Sequence, residues 1–329
     1  MPTHGGLTRR RARRGRFLVA VLLVSWLAVG CVKPTPAQRA ISLAHMQRVD
    51  EGVTLLRDAI AKDPSDVDAR RVLVRLLGLN GDLPAARKEA EDLQKRLPEG
   101  DPSGWLEMGH AYELAHKFDE ALEAYDTAAK VAPGSPAGPL EGGMRCAHWG
   151  EADEARPRLE EAVKRGANDA EVWHTLGLVR LHQRDFEAAT EAYKKGLDVD
   201  GSHPENWLGL ASVAVMKGDA KGALDAYSAL LALRPNFGAA ELGRAWALAK
   251  LGRSKEALAA LDHAEVLGAP RANIAKQRAA LAGGHPGPAL STPPSTTAPP
   301  LVTSPANPDT SEPPLPPTEG QEAPPASPP

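Results

Sequence analysis

Two cysteines, Cys31 and Cys146, are all that 329 residues contain. At most one bridge can form, which excludes a disulfide framework. Long apolar runs are equally scarce. The one present, Phe17 to Gly30 (FLVAVLLVSWLAVG), is uncharged and spans fourteen residues, short of the ~20 that a bilayer-crossing helix needs. Catalytic signatures are missing too: there is no H-E-x-x-H, no G-x-S-x-G and no P-loop. His174 and His182 stand eight residues apart with no Cys or Asp to complete a metal set. Acid pairs such as Asp119-Glu120 and Glu160-Glu161 suit solvated helix faces. The sequence therefore predicts no enzyme, no cofactor and no metal site.

What is present begins with a basic front. Residues 1–16 hold Arg9, Arg10, Arg11, Arg13, Arg14 and Arg16 and no acid. Followed by the short apolar run, they make residues 1–30 a predicted secretory signal. Loss of those six arginines takes the formal net charge from -3 to -9. Such an acidic chain is a poor binder of phosphates, so no nucleic-acid partner is expected. The segment Leu27-Ala28-Val29-Gly30-Cys31 resembles the lipobox of bacterial lipoproteins. The resemblance implies a diacylated Cys31, a lipid-anchored linker over 31–36, and an anchor that is not released, because two acyl chains hold where one does not. Val32 after the cysteine implies, by the same resemblance, sorting to the outer membrane, facing the periplasm. Ala28 and Gly30 also suit ordinary signal peptidase, and either cut leaves Cys31 first. With Cys31 acylated, Cys146 has no bridge to form and is predicted as a small apolar residue on a buried helix face. A Cys31–Cys146 bridge is the alternative.

The body of the chain repeats. Trp105, Trp173 and Trp207 are separated by 68 and 34 residues, and Tyr125, Tyr193 and Tyr227 by the same intervals. A period of 34 divides the chain into blocks 102–135, 136–169, 170–203, 204–237 and 238–271, with an offset block 67–100 and a degenerate one, 33–66. The block from 102 reads Trp105, Met108, Gly109, Tyr112, Ala121, Tyr125, Ala128, Pro133; the block from 170 reads Trp173, Leu176, Gly177, Ala189, Tyr193. This pattern resembles the tetratricopeptide repeat, two antiparallel helices per unit. The resemblance implies an all-α fold, an α-solenoid of six to seven helix pairs wound as a right-handed superhelix with one concave surface. Gly109, Gly143, Gly177 and Ala211 are expected where two helices cross closely, opposite Ala86, Ala121, Ala155, Ala189, Ala223 and Ala257. Gly81, Gly150, Gly218 and Gly252 mark turns. Pro64, Pro98, Pro133 and Pro235 stop second helices. Residues 270–283 are predicted as a capping helix.

After Gly284 the composition changes. Residues 284–329 hold about half of the thirty prolines, no Lys or Arg, no aromatic residue, and only Asp309, Glu312, Glu319 and Glu322 as charges. Such a sequence buries too little surface to offset chain entropy and is predicted as a disordered tail with polyproline II character.

In the resembling family, ligands lie along the concave face, lined by the first helix of each unit. At those positions this chain places Leu106, His110 and Glu113; Leu140 and Met144; Glu171, His174, Leu178 and Leu181; Glu205, Leu208, Ser212 and Val215; then Leu242 and Trp246. That mostly apolar stripe suits an amphipathic helix or extended segment of a partner protein. Packing between adjacent first helices is the alternative use of the same leucines. The whole resembles small repeat lipoproteins that help type IV pilus secretins assemble. The expected role is a non-enzymatic envelope scaffold, with membrane contact through the anchor and another envelope protein as partner. Recruitment of a peptidoglycan or other envelope enzyme is the alternative.

Overall fold

The computed structural model describes residues 33–283. The expected signal, Cys31 and the proline-rich tail lie outside the described residues.

Among the described residues there are fifteen α-helices and no strand. They run as α1 (Pro36–His45) and α2 (Val49–Lys62), α3 (Val67–Leu79) and α4 (Leu83–Gln94), α5 (Ser103–Leu114) and α6 (Phe118–Val131), α7 (Ala137–Trp149) and α8 (Ala152–Lys164). The series continues with α9 (Ala170–His182) and α10 (Phe186–Val199), α11 (Pro204–Lys217) and α12 (Ala220–Leu233), α13 (Gly238–Lys250) and α14 (Ser254–Val266), then a single α15 (Arg271–Ala282). The degenerate block at 33–66 holds a pair like the others, with Ala40 and Ile41 of α1 and Leu56 of α2 buried. α15 packs on α13 and α14 through buried Ile274 and Gln277, whose amide donates to the Leu242 carbonyl at 3.3 Å. No described helix is long and apolar enough to cross a membrane.

Local chemistry sets the ends. Asp66, Asp82, Asp169, Asp185 and Asp219 each accept a hydrogen bond from the backbone N–H three residues on, a cap worth about 1 kcal/mol. Gly81, Gly150, Gly218 and Gly252 turn the chain at φ 74° to 85°. Gln47, His116 and Arg184 adopt the same left-handed conformation at φ 58° to 63° without glycine. Pro64, Pro98, Pro133 and Pro235 each follow a second helix within a few residues. Pro157 is different: it lies inside α8, where it removes one backbone donor from an exposed turn.

The alanines expected at close crossings, from Ala86 to Ala257, are fully buried. The residues that press on the glycines are larger. A Cβ on Gly109 would meet the Tyr125 ring at 2.3 Å, one on Gly177 the Tyr193 ring at 2.5 Å, and one on Gly143 the Leu159 side chain at 2.8 Å. Glycine is the floor on which the second helix sets its largest side chain. Tyr193 is held from both sides, because a Cβ on Gly209 of the following pair would lie 2.4 Å from the same ring.

The direction of curvature follows from which helices touch. Successive first helices pack on each other at every step except α11 to α13, whereas no second helix packs to that extent on another second helix. The first helices therefore form the inner, tighter layer of an α-solenoid, and the second helices the outer one.

Candidate functional site: the inner face of the first helices

Over α3, α5 and α7 this inner face is built from charge. Arg75 pairs with both carboxylate oxygens of Glu107, which is buried. His110 lies between two carboxylates, with Nδ1 3.6 Å from Glu107 and Nε2 3.7 Å from Glu141. Arg145 continues the chain to Glu141 at 3.3 Å and to Glu113 at 2.7 Å. Six groups of alternating sign thus cross three helices. Burial pushes the Glu107 carboxyl up, but Arg75 and His110 more than offset it and hold it at about 2. Burial pushes His110 down, yet Glu107 and Glu141 raise it to about 9, so at neutral pH it is a cation. Burial raises Glu113, with Arg145 opposing.

Over α9, α11 and α13 the same face is mainly apolar. His174 is buried, its ring centroid 5.8 Å from both the Tyr193 and the His203 rings. Burial, reinforced by His203, lowers it to about 4, so His174 is neutral where His110 is charged. His203 is the polar edge of this half, 3.4 Å from Glu171 and 3.6 Å from Glu205. Farther on, buried Glu241 is held by Arg244 and His263, each at 2.8 Å.

The residues expected to line a groove divide into three groups. Leu106, Leu140, Met144, Leu178, Leu181 and Leu208 are half-buried and keep some surface open. Val215 and Trp246 are buried in one cluster with Tyr227 and Leu230, and Leu242 is buried with Leu261 and Ile274. Ser212 is buried, and its hydroxyl donates to the Leu208 carbonyl at 2.9 Å, so it is satisfied within its own helix. His110 and His174 are tied into the contacts above. Cys146 is buried, and burial pushes its thiol up to about 11. Among the described residues no three His, Cys, Asp or Glu side chains are placed to share a metal ion.

Sequence reasoning did not single out Arg75, Glu107, Glu141 and Arg145. The signal was a second interval: Arg75 to Glu107 and Glu113 to Arg145 are 32 residues apart, and His110 to Glu141 is 31. Opposite charges recur just short of the repeat.

A family model for the tetratricopeptide repeat matches residues 38–102, 150–206 and 208–273, more than half of the chain. The chain belongs to the tetratricopeptide repeat family. Its repeats make it a scaffold for protein–protein interaction, on a fold that generally does no bond chemistry of its own. A tetratricopeptide protein of Cytophaga hutchinsonii superposes with a TM-score of 0.56 at 16% identity, covering 73% of this chain and 98% of that one. A second such protein, from Parabacteroides merdae, gives 0.45 at 19% identity over 70% and 86% of the two chains. MamA from Desulfovibrio magneticus RS-1 gives 0.43 at 21% identity over 51% and 95%. At these identities the first superposition speaks for the fold alone. No curated protein matches the chain.

Proposed function

We propose that this repeat protein is a membrane-tethered scaffold of a bacterial envelope, whose inner face receives an extended or amphipathic segment of a partner protein. The observation that carries the reading is the row of half-buried Leu178, Leu181 and Leu208 on the inner face of α9 and α11, beside the ionic chain of α3 to α7. An apolar row joined to a charged one fits a segment with an apolar stretch and a polar end. The tether rests on the sequence from Arg9 to Cys31, and the process we assign to it is assembly of a pilus secretin in the outer membrane. The test is Leu178→Glu with Leu208→Lys: partner recovery from cells should fall at least tenfold while the helical spectrum is unchanged. Unchanged recovery with an intact fold removes the inner face as the site. The tether is tested separately, by whether a Cys31→Ser variant leaves the outer-membrane fraction.

A further inference from the structure

The two layers of the solenoid carry opposite charge. Within the second helices there are twenty-one Asp or Glu against twelve Lys or Arg; within the seven first helices there are seven against nine, and the unpaired α15 adds three Lys or Arg and no acid. Several of these cations reach outward to second-helix acids, Arg180 to Glu160, Lys217 to Glu187 and Arg278 to Asp262 and Glu265, so the charge left for a ligand is that of the others. The cationic excess gathers at one end, since α9, α11, α13 and α15 hold seven Lys or Arg against only Glu171, Glu205 and Glu241. Lys250, Arg271 and Lys276 of that set are exposed. The same end carries the half-buried Leu178, Leu181 and Leu208.

The segment that begins where α15 ends has the complementary chemistry. Residues 284–329 contain no Lys or Arg, and Asp309, Glu312, Glu319 and Glu322 lie close to Leu301, Val302 and Leu315 among prolines. Reach is ample. Packed first helices lie ~8–10 Å apart, and with a wider α11 to α13 step, where they do not pack, the four extend over about 35 Å, which about twelve residues of extended chain span at ~3.1 Å each. Seventeen residues lie between Gly283 and Leu301, enough to return the chain over α13 and α11.

We infer that the chain's own segment from Leu301 to Glu322 occupies the α9–α15 half of the inner face, its Leu and Val side chains on the leucine row and its carboxylates against the cations of α13 and α15. The inference rests on the inner face being a binding surface. It makes the tail an internal competitor that a partner must displace.

The experiment places a photo-crosslinking p-benzoylphenylalanine at position 208 of the full chain, and a control at position 46, where exposed Met46 follows α1 at the far end. Mass spectrometry then identifies the captured peptides. Position 208 should capture residues 301–322 of its own chain, at least tenfold above position 46. Replacing Asp309, Glu312, Glu319 and Glu322 together by Lys should reduce that capture about fivefold or more, as should raising the salt, because screening weakens exposed charge pairs. Equal capture from both positions overturns the inference, as does capture only of a second, isotope-labelled copy's tail, or indifference to the charge reversal. If position 208 captures another protein in cells and never the tail, the inner face stands as a site and the tail inference falls. If it captures nothing, both fall.

Discussion

The backbone of α5 to α7 and that of α9 to α13 follow one pattern, yet their inner faces are held by different forces. In the first, Glu107 and Glu141 sit thirty-four residues apart on successive first helices and are tied by His110. In the second, the same repeat position is Thr175, then Gly209, then Gly243, and the vacated space is filled by the Tyr193 and Tyr227 rings. Beside the buried Tyr125 ring that position is the carboxylate Glu141, whereas against the Tyr193 and Tyr227 rings it is glycine. A buried ion pair contributes little net stability over an apolar substitute, but its loss on one side leaves a stranded charge. The ionic half is therefore brittle toward the loss of one charge, and the apolar half is the one that offers apolar surface.

The sharpest break in this contrast is Glu107→Gln. It removes the carboxylate that Arg75 and His110 share, while His110 keeps Glu141, and a cost of about 3 kcal/mol, the low end for breaking a buried pair, is expected, confined to α3, α5 and α7. Hydrogen exchange in denaturant, resolved by helix, checks it: α9 to α13 should keep their protection, because a repeat stack communicates mainly between neighbours. A loss spread evenly over the molecule would show that the halves are not separate in stability.

The two histidines extend the comparison to pH. The ordinary value is 6.5, and His110 is held at about 9. Between those values only the folded chain keeps the proton, so the stabilisation is full below 6.5 and is lost as pH rises through 9. His174 is lowered to about 4 from the same 6.5. There only the unfolded chain takes the proton, so stability is full above 6.5 and is lost as pH falls toward 4. Each window is worth at most on the order of 3 kcal/mol. His110→Gln should flatten the alkaline limb of a denaturation–pH profile, and His174→Gln the acid limb. An acid limb that responds to His110 instead would reverse the assignment.

The repeat itself was legible, because the signals that make it are side-chain sizes at fixed spacing. Tyr125, Tyr193 and Tyr227 over glycines, alanines at crossings and prolines after second helices each state a steric fact that survives in the linear sequence. The end unit α1–α2 was faint, since its packing on a single neighbour uses Ala40, Ile41 and Leu56 rather than a tryptophan. The ionic chain was hidden for a different reason. Whether Glu107 meets Arg75 depends on the register of two helices thirty-two residues apart, and reading every fourth position along one helix passes over both. The charge state of a histidine was hidden more deeply still, because burial and neighbours set it and the residue letter does not. Val215 and Trp246 stood at groove positions in the linear pattern, yet both are buried in the three-dimensional packing.

A milder probe adds one methyl group to each half. A Cβ on Gly209 would lie 2.4 Å from the Tyr193 ring, which is fully buried and has nowhere to move. A Cβ on Gly142 would meet the flexible Arg158 side chain, Cδ at 3.1 Å and Nε at 3.4 Å, and the Tyr125 Cβ only at an ordinary 3.5 Å. Gly209→Ala should therefore cost about 1–3 kcal/mol from overpacking. Gly142→Ala should fall within about 0.5 kcal/mol of zero, the gain in helix propensity offsetting the shift of Arg158. Thermal denaturation of the two variants measures the difference, and equal costs would mean that Tyr193 is not gripped as the geometry states.

The smallest effect tests whether the halves differ anywhere besides the inner face. His116 turns the chain between α5 and α6 at φ 58°, and Arg184 does the same between α9 and α10 at φ 63°. Left-handed backbone costs an L-residue with a side chain about 1 kcal/mol relative to glycine, less the entropy that glycine adds to the unfolded chain. His116→Gly and Arg184→Gly should each gain a few tenths to about 1 kcal/mol, and by the same amount, since both turns share one geometry. Both side chains are exposed, and the packing at stake is small, an edge-on contact of His116 with the Phe118 ring at 6.2 Å. A gain at one turn and a loss at the other, read from denaturant midpoints, would mean that the turns also distinguish the halves, so that charge and ring on the inner face are not the whole of what separates them.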